Sequence, residues 1–449
     1  MSKAISRRNF LMATGAVGAA GLLAACGSKP AASSTASSAA SQAPAASADE
    51  SLALSDGPVN LSISWWGGDS RHAAYQSALE AFQAEHSNIT VEPTFAAWSG
   101  WEEKMAAAFI AGNAQDVCQV NWNWLYNYSA DGSKFVDLNT TSKFIDLTQW
   151  DSAAMDACYV ANSQQCVPVS MTGRIFYWNM TTFNKAGITE VPKSLDDLMA
   201  AGKAFQEKLG DDYYPMHLGA YDRMILMVFY LESKYGKDWA DPVTSTLNYT
   251  EEEIAEGLAF IKSLVDNHVM MNLKTYYSAN SDTATHQSNE WITGKIAGIF
   301  EWDSAASKYS SALDDSNKDG FTVGEEIKFG DNNGGFSKVS MGLAITKTCK
   351  NVAEAATLIN FLLNEEKGAS IMGSECGIPA SKAGLKFAQD AGAVKSLVAE
   401  ANAKVMAFTT NKLDPLFENN DLKASGTGIY QEVFDNIDYG DETPEEAVN

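Results

Sequence analysis

The chain has 449 residues, 45% of them hydrophobic and 10% aromatic. That is enough for roughly two to four domains, or two large lobes, around a sizeable core. A formal net charge of −24 argues against nucleic acid and against an anionic membrane surface as partners, and suits a protein facing the outside of a cell.

Arg7-Arg8 precedes an uncharged apolar run from Met12 to Ala25. This is a positive n-region and an h-region, too short for a stable spanning helix. Ser6 to Leu11 looks like a twin-arginine export signal, and the general secretory route stays open beside it. Leu23-Ala24-Ala25-Cys26 resembles the bacterial lipobox, so residues 1–25 are expected as a lipoprotein signal peptide and Cys26 as the lipidated residue. A plain cleaved secretory signal is the alternative. Diacylation would supply the two-chain anchoring that one acyl chain does not. Residues 26–56, rich in Ala, Ser and Pro, then read as a flexible tether at the outer face of the cell membrane. Beyond Cys26 stand Cys118, Cys158, Cys166, Cys349 and Cys376. Their odd number forbids full internal pairing; Cys158 and Cys166 are near enough in sequence to pair, and that is left open.

Residues 59–66 predict a strand that ends in Trp65-Trp66, followed by Gly67-Gly68 and the polar Asp69, Ser70, Arg71 and His72. Aromatic faces beside donors and acceptors suit a sugar, whose apolar C–H face they cover while the polar groups take hydroxyls. Packing of one or both Trp is the bland alternative; Trp65 is expected to pack and Trp66 to meet ligand. Ser70 is expected to cap a helix burying Tyr75, Ala78, Leu79 and Phe82. Ile89, Val91 and Phe95 alternate as a second strand. Trp101, Met105, Ala108 and Phe109 mark a second helix, stopped by Gly112, and residues 116–120 a third strand. This β-α-β-α-β order predicts a parallel sheet, whose ligands sit beyond the carboxyl ends of the strands. Trp66 lies at one such end and Asn121-Trp122-Asn123-Trp124 at another.

The pattern restarts at Val167, leading into a strand over Arg174 to Asn179. Ser194 caps a helix with Leu198 and Phe205 on its buried side. Further helices are predicted at about 221–235, 250–267 (capped by Thr250) and 286–294. Residues 295–300 form a strand that delivers Glu301-Trp302-Asp303. A strand at 341–345, a helix at 352–363 and helices near 394–407 and 426–437 complete the reading. Trp178 and Tyr177 face opposite ways in one strand, so one of them is expected in the core. Asp315, Asn317, Asp319 and Glu326 match a calcium-loop spacing, but without clear flanking helices a surface turn is the better reading, and no metal is assigned. His72 and His286 lack paired ligands.

Trp65-Trp66-Gly67-Gly68, Gly112-Asn113-Ala114-Gln115-Asp116-Val117, Pro168 with Arg174 to Asn179, Phe183 to Ile188, Gly294-Lys295-Ile296-Ala297-Gly298 before a Trp, and Gly377-Ile378-Pro379 occur in an order that resembles family 1 extracellular solute-binding proteins. These are the sugar-binding components of ABC importers, similar in fold to maltose-binding protein. The resemblance implies an α/β, two-lobed, type II periplasmic-binding-protein-like fold with a ligand cleft closed by hinge motion. It implies a first lobe of 57–167 plus about 336–390, and a second of 168–335 plus about 391–449. By the same resemblance Asp69 and Arg71 belong to a polar first-strand loop, Asn121 or Trp122 to the end of the third strand, and Trp302 to an aromatic platform, with Arg174 and Tyr177 where the second lobe begins. Together with the strand-end residues, the expected ligand contacts are Trp66, Asp69, Arg71, Asn121, Trp122, Trp124, Arg174, Tyr177, Glu301 and Trp302.

The expected activity is non-enzymatic: a monomer, without cofactor, that binds a carbohydrate, an oligosaccharide by the number of platforms, and delivers it to the transmembrane subunits of an ABC permease. A secreted glycoside hydrolase would need two carboxylates across the cleft. Glu301 and Asp303 are available but stand two apart in one segment. A polyamine receptor would also use Trp and carboxylates; Arg71 and Arg174 argue for a neutral polyol instead.

Overall fold

The computed structural model describes residues 51–98, 100–241, 246–281 and 283–448. The signal segment, Cys26 and the tether as far as residue 50 lie outside the described residues.

β1 (Val59–Trp66), α1 (Asp69–Glu85), β2 (Ile89–Ala96), α2 (Trp101–Ala111) and β3 (Val117–Val120) follow one another as expected. β1 pairs in parallel with β2 from Val59↔Ile89 to Trp66↔Ala96, and with β3 at Ile63↔Val117. The buried face of α1 is Tyr75, Ala78, Leu79 and Phe82, the stripe its spacing predicts. Gly112, at φ 67°, stops α2 in the left-handed conformation. One local expectation fails. Ser70 does not cap α1; the helix already starts at Asp69 after Gly68, and the Ser70 hydroxyl donates to Glu375 Oε2 at 2.7 Å instead.

After α3 (Asn123–Tyr128) comes the longest strand, β4 (Val167–Asn179), with all but one of its residues buried. β5 (Gly298–Trp302), β6 (Phe321–Val323) and β7 (Phe336–Ile345) are its partners. From Val167 to Gly173, β4 pairs antiparallel with β7, running from Val167↔Leu343 to Gly173↔Ser337. From Arg174 to Trp178 it pairs antiparallel with β5, and its end pairs with β6. β7 also pairs antiparallel with β3. One strand thus serves two sheets and changes partner between Gly173 and Arg174. Gly173 permits a close approach there: a Cβ would lie 2.5 Å from Val405 Cγ1 and 2.8 Å from the Phe336 carbonyl oxygen. Expected from residue 295, β5 begins at Gly298, because Lys295 and Ala297 bond across to Tyr214 instead.

α4 (Leu195–Leu209) is capped by Ser194, and α6 (Glu251–Asp266) by a Thr250–Glu253 capping box. Between them α5 (Ala220–Tyr235) is buried on most of its circumference. α7 (Val352–Asn364) packs beside the first sheet, and α8 (Ser396–Phe408) against β4. α9 (Ile429–Tyr439) packs on α5. Trp65, Trp101, Trp124, Trp178 and Trp291 are among the largest fully buried side chains. Their burial assigns these five to the core. No helix among the described residues is long and apolar enough to cross a membrane.

Candidate binding cleft

Where β4 changes partners, its register sets Arg174 directly opposite Trp302. The two side chains stack, with Arg174 Cζ 4.3 Å from the Trp302 ring centroid. Lys338, on β7, brings Nζ within 4.6 Å of the same ring and 6.0 Å of Trp122. The Trp302 ring remains half-buried, and it meets Phe336 at 6.2 Å. A half-buried aromatic ring beside two cations is attractive to a ring that carries hydroxyls or a carboxylate.

Arg174 is 3% exposed and carries two ion pairs, to Asp222 at 2.8 Å and to Glu301 at 3.0 Å. It also donates to the Phe300 carbonyl at 2.9 Å. Burial drives the Asp222 carboxyl up to about 6, against the pull of Arg174. Glu301 is also buried, but Arg174 and Lys308 hold it below its usual value. It further takes the Tyr309 hydroxyl at 3.1 Å and the Trp302 N–H at 2.8 Å. Glu301 therefore orients Arg174 and Trp302. Asp303, the other carboxylate weighed for hydrolysis, is buried and accepts from Thr172 Oγ1 and, at 2.6 Å, from Asn402 Nδ2.

At the end of β3, Asn121 Nδ2 donates to Glu418 Oε2 and Asn123 Nδ2 to the Glu418 carbonyl, both at 3.0 Å. Among the described residues, Asn121 Oδ1, Asn123 Oδ1, Trp122 Nε1 and Arg174 Nε are buried without a hydrogen-bond partner. Each such group costs about 1–3 kcal/mol while unpaired. Arg174 Nε, on the residue stacked against Trp302, and Trp122 Nε1, whose ring lies 6.0 Å from Lys338 Nζ, are donors of the kind that sugar hydroxyls accept from.

The other expected contacts divide. Trp66 is 9% exposed, 5.1 Å from Trp98 and 5.5 Å from Trp124. Trp98, on the loop after β2, is the exposed member of this group at 40%. Trp65 packs as expected, stacked on Tyr75 and Phe95. Trp124 is a correction: it lies in the core, with Nε1 donating to Glu102 at 3.0 Å, because α3 turns it inward. Tyr177 is another. Its ring is fully buried and its hydroxyl folds back onto the Trp302 and Asp303 carbonyls at 3.2 Å. Trp178 is fully buried too, since β4 is covered on both faces, so neither of that pair faces a cleft. Arg71 is spent inside the protein, donating to the Glu375 carbonyl at 3.0 Å and the Trp66 carbonyl at 3.2 Å; Asp69 is exposed.

The calcium-loop alternative has no geometry behind it. Asn317 is buried and tied to Asn179 and Asp314, and Asp315 pairs with Lys318. Among the described residues no group of three or more His, Cys, Asp or Glu is placed to hold a metal. Cys158 and Cys166 are both buried free thiols in the structure.

Lys338, Asp222, Tyr221, Lys423 and Glu418 escaped the sequence reading. Lys338 carried a usable signal, a lysine inside an otherwise uncharged strand. The others sit far along the chain and carried none.

The profile of the bacterial extracellular solute-binding proteins matches residues 68–369. An oligogalacturonide binding protein from Yersinia enterocolitica, solved with saturated digalacturonic acid, is 34% identical over 87% of this chain and 96% of that one, with a TM-score of 0.80. A periplasmic solute binding protein from Pectobacterium atrosepticum SCRI1043 is 33% identical over the same shares, with a TM-score of 0.82. The acarbose-binding GacH receptor of Streptomyces glaucescens shares the fold at 19% identity and a TM-score of 0.71, again over 87% and 96% of the two chains. A binding protein of Brucella abortus (strain 2308) is 21% identical over 45% of this chain, and the chain spans about half the length of the curated relatives it matches.

Proposed function

Because the chain belongs to the bacterial extracellular solute-binding proteins, we propose that it is the receptor of an ABC importer for an acidic oligosaccharide, one that carries uronate groups. The observation that carries this reading is Trp302, a half-buried ring flanked by the guanidinium of Arg174 and the ammonium of Lys338. A sugar stacks on the ring, and its carboxylate meets a cation there. Trp122 Nε1, Arg174 Nε and Asn121 Oδ1 are the unpartnered groups nearest the ring that could take hydroxyls. The similarity to an oligogalacturonide binding protein supports the same chemistry. No bond is made or broken on the ligand: binding closes the lobes, and the closed form is handed to the permease subunits. The change of partners in β4 at Gly173 supports a crossing between a first lobe of 57–167 plus about 336–390 and a second of 168–335 plus about 391–449. Cys26 anchors the receptor to the outer face of the membrane.

Titration calorimetry with saturated digalacturonic acid and with a neutral galactose disaccharide tests the reading. The acidic sugar should bind at least about tenfold more tightly, and Trp302→Ala should weaken it by about 2 kcal/mol, roughly 30-fold. Equal affinity for both sugars would return the ligand to a neutral polyol, and binding of a polyamine alone would end the carbohydrate reading.

A further inference from the structure

The tail of the chain sends one carboxylate into the cleft. A single turn, Pro415–Glu418, is seated on the second lobe by Phe417, whose ring lies 5.2 Å from Tyr430 and 6.2 Å from Tyr221. Glu418 follows and is 1% exposed. Its Oε1 accepts from Lys338 Nζ and, at 3.0 Å, from the Tyr221 hydroxyl. Its Oε2 accepts from Asn121 Nδ2 at 3.0 Å and lies 3.9 Å from Lys423 Nζ. Asn123 takes its backbone carbonyl. Asn121 and Asn123 follow β3 of the first sheet, Lys338 stands on the β7 stretch opposite Thr172, and Tyr221 opens α5 of the other lobe. Lys423 makes a second link, reaching Glu102 on α2 at 3.3 Å and the Trp98 ring at 5.5 Å.

A lysine as buried as Lys338 is costly without an anion beside it. The lysine on the binding platform therefore needs a carboxylate whether or not ligand is present, and the protein carries its own. Burial alone would raise the Glu418 carboxyl, but Lys338 and Lys423 bring it to about 2, so it stays ionised at neutral pH. The same donors cannot serve Glu418 and a ligand carboxylate at once, and two carboxylates at one ammonium repel each other.

We propose that Glu418 is the resident counter-anion of the cleft: it clasps the lobes when no ligand is present, and cedes Lys338 and Asn121 to the carboxylate of an incoming acidic sugar. Only the identity of the displacing group rests on the acidic-oligosaccharide reading. Competition with a resident anion lowers the apparent affinity by the fraction of cleft left open, and it sets a threshold that neutral sugars, lacking a carboxylate, do not cross at Lys338.

The test is small-angle scattering and calorimetry on the full-length protein and its Glu418→Gln variant. Without sugar, Glu418→Gln should show a larger radius of gyration than wild type, and saturated digalacturonic acid should return it to the wild-type value. Its affinity for that sugar should rise at least about tenfold, and its affinity for a neutral disaccharide should rise less, because only a carboxylate takes the vacated Lys338. Should the single variant fail to fold with Lys338 unpaired, the double variant Lys338→Met/Glu418→Gln removes both charges. It too should be expanded without sugar, and it should lack the gain in affinity. A compact Glu418→Gln with wild-type affinity overturns the clasp and leaves the sugar reading standing. Loss of binding to both sugars in Glu418→Gln overturns it also, because Glu418 would then be a direct ligand contact. Expansion of the variant with no binding of the acidic sugar to either protein keeps the clasp and removes the sugar reading.

Discussion

Glu232 illustrates how far one buried group can depart from its usual chemistry. It lies on α5, fully buried, with Oε2 accepting the Gly335 N–H at 2.9 Å just before β7. Burial drives its carboxyl from 4.5 up to about 8. The folded protein therefore holds this proton over a range in which the unfolded chain has released it. The resulting stability is fully present below pH 4.5 and is lost as pH rises through about 8. Glu232→Gln keeps an acceptor for Gly335 and abolishes the titration. Thermal melts from pH 5 to 9 should find the variant gaining on wild type as pH rises and the more stable of the two above pH 8, by several kcal/mol at about 1.4 kcal/mol per pKa unit. Parallel pH profiles would show that Glu232 titrates normally.

At the scale of elements, β4 pairs with β7 along one stretch and with β5 along the next. Its alternation puts Thr172 and Arg174 toward the crossing, and its partner change brings Trp302 opposite Arg174. Such a strand tolerates no bulk where α8 and β7 approach it. Gly173→Ala would drive a Cβ to 2.5 Å from Val405 and 2.8 Å from the Phe336 carbonyl, and a carbonyl in a strand cannot step aside. The variant should lose about 1–3 kcal/mol, read as a lower urea midpoint at unchanged m-value. A midpoint equal to wild type would mean that the crossing has more freedom than its contacts suggest.

For the whole molecule the governing facts are its charge and its expected attachment. A protein of net charge −24 is repelled by anionic lipid, so the attachment proposed through Cys26 gains nothing from surface charge and rests on its acyl chains. Cys26→Ser should shift the protein from the membrane fraction to the soluble one and abolish incorporation of labelled palmitate, while its sugar affinity in solution stays unchanged. Retention of the variant in the membrane fraction would rule out the lipid anchor.

The fold was legible in the sequence because periodicity is a local property. Tyr75, Ala78, Leu79 and Phe82 lie on one face of α1 whatever surrounds them, Gly112 stops α2 by its own backbone freedom, and Thr250 caps α6 with a residue three positions on. The order of these elements identified the family. The sequence also singled out Trp302, at the end of β5, and Arg174, which stands opposite it within β4. Which tryptophans face ligand was not, since a buried and a presented Trp have the same neighbours in sequence: Trp124 went to the core and Trp98 to the surface. Nor was the charge network. Lys338 and Glu418 stand 80 residues apart, and nothing local to either names the other. The sequence alone determined the two-lobed fold, its elements and the candidate residues at the strand ends. Only the tertiary structure decided which charges meet there, because the pairing of buried charges depends on burial and distance, and both exist only once the chain has closed on itself.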